Sequence, residues 1–168
     1  MLSVRSYEER AKDFIKQVFP YIKEKYKPEW VRDCIKKYNS QFHRKVKVAS
    51  GCSRTALITS DYVVKFDYDL DAARRIGGCE SEVRLYAQAE KDGFDYLFAK
   101  ITQYDYNGRQ FYIMPRIRGI GRNDWVYADA FMTKKEREWC DAHNLSDLHE
   151  YNYGFRKGKL CIIDYACN

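Results

Sequence analysis

The sequence lacks most of the features that mark specialised protein classes. Its six cysteines (34, 52, 79, 140, 161 and 167) form no Cys-x-x-Cys pair and no spacing with histidine that suits zinc. A zinc module is therefore not expected, and reduced thiols are the simplest reading. There is no uninterrupted apolar run of roughly eighteen residues, so no membrane-spanning helix is expected. The N-terminal residues lack the apolar core of a secretory signal, which points to a cytoplasmic protein. No internal repeat and no low-complexity segment is present. The excess of one sign of charge is also small: 30 basic against 24 acidic residues, net +6. It is spread along the chain and does not cluster with aromatics in a recognisable motif, so nucleic acid is not the expected partner. A modest basic excess still favours an anionic ligand such as a nucleotide.

What is present describes an ordinary globular chain. Its 168 residues are enough for one domain with a real core. Apolar residues make up 45% and aromatics 16%, with fifteen tyrosines, which argues against disorder.

The chain opens with two amphipathic patterns. Ser6 and Glu9 form a capping box, and Ala11, Phe14, Ile15, Val18 and Phe19 recur at helical spacing up to Pro20. A second helix is predicted after Pro28, with Trp30, Val31, Cys34, Ile35 and Tyr38 on one side. From Phe42 the period changes to two. Strands are predicted over 42–49, 56–59 and 62–67, with a small-residue loop from Ser50 to Thr55 between the first two. A helix over 79–91 follows, with Val83, Tyr86, Ala87 and Glu90 near one face and Gly93 as its stop. Strands over 97–106 and 109–114 then flank Asn107-Gly108, a type I′ hairpin signal. Gly119 to Gly121 reads as a flexible connection and 124–132 as helical or irregular. Thr133 and Glu136 form a second capping box.

The last stretch carries the chemistry. Asp147 is followed by Asn152, then by a hairpin with its turn at Arg156 to Lys159, then by Leu160 to Ile163 and Asp164. A loop with an acid and an amide, closed by two short strands, can aim three oxygen-bearing side chains at one point. Such donors suit magnesium, and a carboxylate there suits a phosphoryl acceptor.

This segment resembles the catalytic and metal-binding loops of the protein-kinase-like superfamily, closer to aminoglycoside-phosphotransferase-type and small phage or prophage members. The resemblance implies Asp147 as the catalytic base, with Asn152 and Asp164 as magnesium ligands. It assigns Lys65 to the strand lysine that holds phosphates. Glu82, chosen over Glu80, becomes its helical partner. Gly51 and Ser53 fall in the phosphate-covering loop, Met114 at the gatekeeper position, and the backbone of Pro115, Arg116 and Ile117 beside an adenine edge. The sequence departs from the pattern at Leu145-Ser146 before Asp147, at Tyr165-Ala166 after Asp164, and in having one loop glycine instead of three.

The implied fold class is α+β: a kinase-like N-lobe of five antiparallel strands plus one helix (42–114), a hinge and reduced C-lobe (115–168), and extra N-terminal helices (1–41), in a single kinase-like domain. The implied activity is ATP- and Mg²⁺-dependent phosphoryl transfer to a hydroxyl, with a protein as the expected acceptor. The alternative is a pseudokinase-type binding module. A protein partner and a homodimer stay open. Because little sequence follows Asp164, the N-terminal helices, or those of a second copy, are expected to cover Leu160, Ile162 and Ile163 near the 124–143 segment. The other arrangement has them flank the sheet.

Overall fold

The computed structural model describes residues 5–23, 27–120, 130–145, 148 and 152–165. The fold is mixed α+β with a five-stranded antiparallel sheet and several helices. The chain divides into two compact units, the first formed by Met1–Arg74 and Thr102–Arg116, the second by Arg75–Ile101 and Ile117–Asn168.

In the first unit, helix α1 (Tyr7–Ile22) starts at the capping box: the Glu9 N–H donates to Ser6 Oγ at 3.1 Å and the Ser6 N–H to Glu9 Oε2 at 2.8 Å. The helix does not stop at Pro20. The last turn closes through the Lys23 N–H on the Phe19 carbonyl at 2.8 Å, and it carries the fully buried Ile22. Helix α2 (Pro28–Phe42) has proline at its start, where no N–H is needed. Its buried side is Val31, Ile35 and Tyr38, whereas Trp30 is 47% exposed.

The strands are β1 (Lys47–Ser50), β2 (Arg54–Ile58), β3 (Tyr62–Asp67), β4 (Thr102–Tyr106) and β5 (Arg109–Pro115), in the spatial order β1-β2-β3-β5-β4. Both helices lie on one face of this sheet. Ala11, Phe14, Ile15, Val18, Ile22, Val31, Ile35 and Tyr38 share a core with Leu57, Tyr62, Val64, Phe66, Phe111 and Ile113. This overturns the expectation that the N-terminal helices cover the C-terminal hairpin, because their apolar stripes are already buried against the sheet. Arg109 joins the two layers. Its guanidinium donates to the Ile22 carbonyl at 3.0 Å, satisfying an orphan acceptor at the end of α1, and lies 4.2 Å from the Phe66 ring centroid.

Two strand expectations fail for identifiable reasons. Residues 42–46 do not join the sheet. His43 takes the left-handed conformation that ends α2, and the Asn39 amide brackets Val46, accepting its N–H at 3.0 Å and donating to its carbonyl at 2.8 Å. The segment 97–101 does not extend β4. A 3₁₀ turn occupies Asp95–Leu97, and Phe98 forms a parallel bridge with Ile162 in the second unit. The Asn107-Gly108 turn is as expected, with both residues at positive φ.

Thr55 is fully buried on the core face of β2, and its hydroxyl has no hydrogen-bond partner. Valine has the same shape without the unsatisfied oxygen. Thr55→Val should therefore raise stability by about 1 kcal/mol, read as a higher midpoint in urea with an unchanged slope. A lower midpoint would mean that the hydroxyl has a structural role.

Between β3 and β4 the chain forms two helices, α3 (Leu70–Ile76) and α4 (Cys79–Asp92), not one. Helix α4 belongs to the second unit. Its buried stripe is Cys79, Glu82, Leu85, Tyr86 and Ala89, about one position away from the face expected from Val83 and Ala87. The second unit also contains β6 (Arg118–Gly119), α5 (Lys134–Ala142), β7 (Tyr153–Arg156) and β8 (Lys159–Ile162), with sheet order β6-β7-β8. The α5 capping box forms, with the Thr133 N–H 2.5 Å from Glu136 Oε2.

Candidate functional site

The second unit contains the end of the hairpin that the sequence singled out. The β7–β8 turn places Lys157 and Gly158 both at positive φ, so Arg156 pairs with Lys159 and Tyr153 with Ile162. One step beyond the ladder, the Ile163 N–H donates to the Asn152 carbonyl at 2.7 Å. Asn152 and Asp164 therefore stand at the same end of one hairpin, both half-buried. The register fixes this: Asp164 is the first residue past the pairing that holds Asn152 in place. Asp147 lies outside the described residues. Among the described residues no cluster of three or more His, Cys, Asp or Glu side chains forms a metal centre. The amide and carboxylate oxygens of Asn152 and Asp164 have the hard-donor chemistry that magnesium takes.

Gly154 has a second role in this hairpin. A Cβ there would lie 2.6 Å from the Arg118 carbonyl oxygen and 2.7 Å from Ile117 Cγ2. Only glycine lets β6 approach β7 so closely.

The residue after Asp164 is pinned more tightly than any sequence pattern indicated. Tyr165 is buried, its hydroxyl donates to the Ala99 carbonyl at 2.6 Å, and its N–H donates to Glu82 Oε1 at 3.1 Å. Its ring meets Phe98 edge-on at 5.0 Å. Burial, with the Glu82 carboxylate next in importance, pushes the Tyr165 phenol far above its ordinary range, so it stays a neutral donor. Glu82 itself is fully buried within the α4 stripe. The sequence pointed to Glu82 as a partner for the strand lysine. The bond to the backbone beside Asp164 is an addition that spacing alone could not supply.

The hairpin finds its cover inside the second unit. Leu160 and Ile162 are buried, the Ala99 N–H donates to the Ile162 carbonyl at 2.8 Å, and Phe98 packs edge-on against Trp139 of α5. Burial also pushes the Cys161 thiol up to about 11, which leaves it inert at neutral pH.

The other sequence-derived candidates lie in the first unit or at its edge. Lys65 sits in β3 opposite Ala56 and Tyr112 and is largely buried. Strand alternation puts Ala56, Lys65, Tyr112 and Met114 on the sheet face turned away from α1 and α2. The small-residue loop is shorter than expected, because β1 and β2 pair as far as Ser50 and Thr55. Within it the Gly51 N–H is bonded to the Arg54 carbonyl at 3.0 Å. The Tyr68 hydroxyl holds the Gly51 and Cys52 carbonyls, and the Tyr68 N–H holds that of the buried Ser53. A Cβ on Gly51 would meet nothing within 4 Å, so sterics do not require glycine there. At the end of β5 the Arg116 N–H donates to the Asp61 carbonyl at 2.9 Å, and its guanidinium to the Thr59 carbonyl at 2.8 Å. Ile117 follows as the first residue of the second unit.

No protein-family model matches the chain, and no curated protein matches it significantly. Among solved structures it is similar to the choline kinase LicA from Streptococcus pneumoniae, at 13% identity and a TM-score of 0.42, over 80% of this chain and 68% of that one. Among the described residues no helix is long and apolar enough to cross a membrane.

Proposed function

We propose that the chain is a kinase-like phosphotransferase that uses ATP with Mg²⁺ to phosphorylate a hydroxyl acceptor. The observation that carries this reading is the end of the β7–β8 hairpin, where Asn152 and Asp164 stand at the same end of the ladder and Glu82 bonds the adjoining backbone. In this reading Asn152 and Asp164 hold the metal, Lys65 neutralises phosphate oxygens, and Asp147 orients the acceptor hydroxyl and takes its proton. Bound Mg²⁺ would offset the charge that develops on the transferring phosphoryl group. Met114 borders the adenine. The Arg116 N–H is committed to the Asp61 carbonyl. The Pro115 carbonyl and the Ile117 N–H are then the backbone groups assigned to the adenine edge in this reading.

A second reading, a pseudokinase-type nucleotide-binding module, draws support from the Gly51 loop. Its one glycine N–H is bonded internally, which weakens the grip on phosphates.

One experiment tests both. At a hundredfold excess over Kd, ATP with Mg²⁺ should stabilise the folded chain by about 2.7 kcal/mol, which raises Tm by several degrees. A folded protein whose Tm ignores millimolar MgATP would rule out both readings. A shift without ADP release over hours, with protein and small-molecule hydroxyl acceptors supplied, would select the second.

A further inference from the structure

The first unit contains a cleft of about 940 Å³ whose lining is strongly basic. Its cations come from distant parts of the sequence: Arg5 just before α1 and Arg10 within it, Arg44 and Lys45 from the α2–β1 connection, Lys47 at the start of β1, and Arg116 just after β5. Two carboxylates also line it, and both are engaged. Asp13 pairs with Arg5 at 2.5 Å and Asp61 with Arg10. Arg116 is turned onto the Thr59 carbonyl. Arg44, Lys45 and Lys47 are exposed and have no carboxylate partner among the described residues.

The segment that carries these three residues is held in shape. His43 fixes its start in the left-handed conformation, and the Asn39 amide clamps both backbone groups of Val46 between Lys45 and Lys47. The floor of the cleft is neutral. Phe14, Tyr38 and Tyr62 are buried there, and burial, with Asp61 second, pushes the Tyr62 phenol up to about 12. Like charges held together over an apolar floor repel one another and project a strong positive potential into the concavity. An anion seated there removes the repulsion, and guanidinium and ammonium groups are the usual phosphate binders. The volume falls near the upper end of small-ligand sites, about 300–1,000 Å³, which is more than one phosphate fills. The aromatic rings lie beneath the surface and offer no open face for base stacking. Recognition would therefore be of phosphate.

We propose that this cleft binds a ligand bearing several linked phosphate groups, a polyphosphate or phosphodiester chain, through Arg44, Lys45 and Lys47. The proposal uses none of Lys65, Asp147, Asn152 or Asp164 and stands apart from the phosphotransfer reading. The test is calorimetric titration of the full chain with inorganic tripolyphosphate, without added metal. A fluorescein-labelled oligothymidylate followed by anisotropy forms the second arm.

Arg44→Gln/Lys45→Gln/Lys47→Gln should weaken binding at least tenfold, while Asp164→Asn leaves it unchanged. For the oligonucleotide the salt dependence of log K should fall by about 0.7 for each phosphate contact removed. Tripolyphosphate binding that the triple substitution removes identifies a free polyphosphate. Oligonucleotide binding alone, removed in the same way, identifies a nucleic-acid backbone. Absence of binding to either probe by the folded chain overturns the proposal, as does equal binding by wild type and variant. All three positions are exposed, and the single substitutions supply the same comparison if the triple variant does not melt cooperatively.

Discussion

A chain lacking residues 1–42 will not form its five-stranded sheet. Helices α1 and α2 supply Ala11, Phe14, Ile15, Val18, Ile22, Val31, Ile35 and Tyr38 to the core, each at most 5% exposed. Burying an aliphatic or aromatic side chain of this size contributes roughly 1.5–3 kcal/mol. A typical domain has only about 5–15 kcal/mol of net stability, so removing the set exceeds the whole margin. The truncated chain should show no cooperative thermal transition and should aggregate, because Leu57, Val64, Phe66, Phe111 and Ile113 would face water. The milder change Phe14→Ala should cost about 3–5 kcal/mol in urea unfolding. A soluble truncated chain with the melting temperature of the full one would show that the helices are accessory.

The second large effect follows from the phosphotransferase proposal and separates two acids by role. Asp147→Asn should lower kcat by roughly 10²–10⁴, the usual contribution of a positioned base, with nucleotide affinity nearly unchanged. Asp164→Asn removes a charged oxygen from the proposed metal ligands and should weaken MgATP binding itself. Glu82→Gln offers an internal comparison, since the amide oxygen can still accept from the Tyr165 N–H at a buried position. If isothermal titration finds the same loss of MgATP affinity for both aspartate variants, the division of labour between them is wrong.

Local signals foretold the elements well and their partners poorly. Capping boxes at Ser6 and Thr133 and the Asn107-Gly108 turn were readable because each is closed by residues within four positions of one another. The alternation of Lys45, Val46, Lys47 and Val48 looked like one continuous strand. The Asn39 side chain took the pairing of Val46, a contact that no period reveals. Leu97 to Ile101 also had the composition of a strand, and its backbone went to Ile162 instead of extending β4. The placement of Asn152 and Asp164 at one end of a hairpin was legible because hairpin register follows from the turn. The Tyr165 anchor was not, since its partners Glu82 and Ala99 are 83 and 66 residues away. The basic cleft was invisible for the same reason: its cations are scattered in sequence and meet only in the folded unit.

The bond from Arg109 to the Ile22 carbonyl spans 87 residues, and β5 lies between β3 and β4. Both facts bear on synthesis at the ribosome. The first two helices emerge before the sheet, but β5, which completes their resting place, is translated only after the segment 75–101. At about 5–20 residues per second the nascent chain carries an uncovered apolar stripe for several seconds. Stalled nascent chains that end before Arg109 should be cut by protease within α1 and α2, and chains extended well past Pro115 should resist.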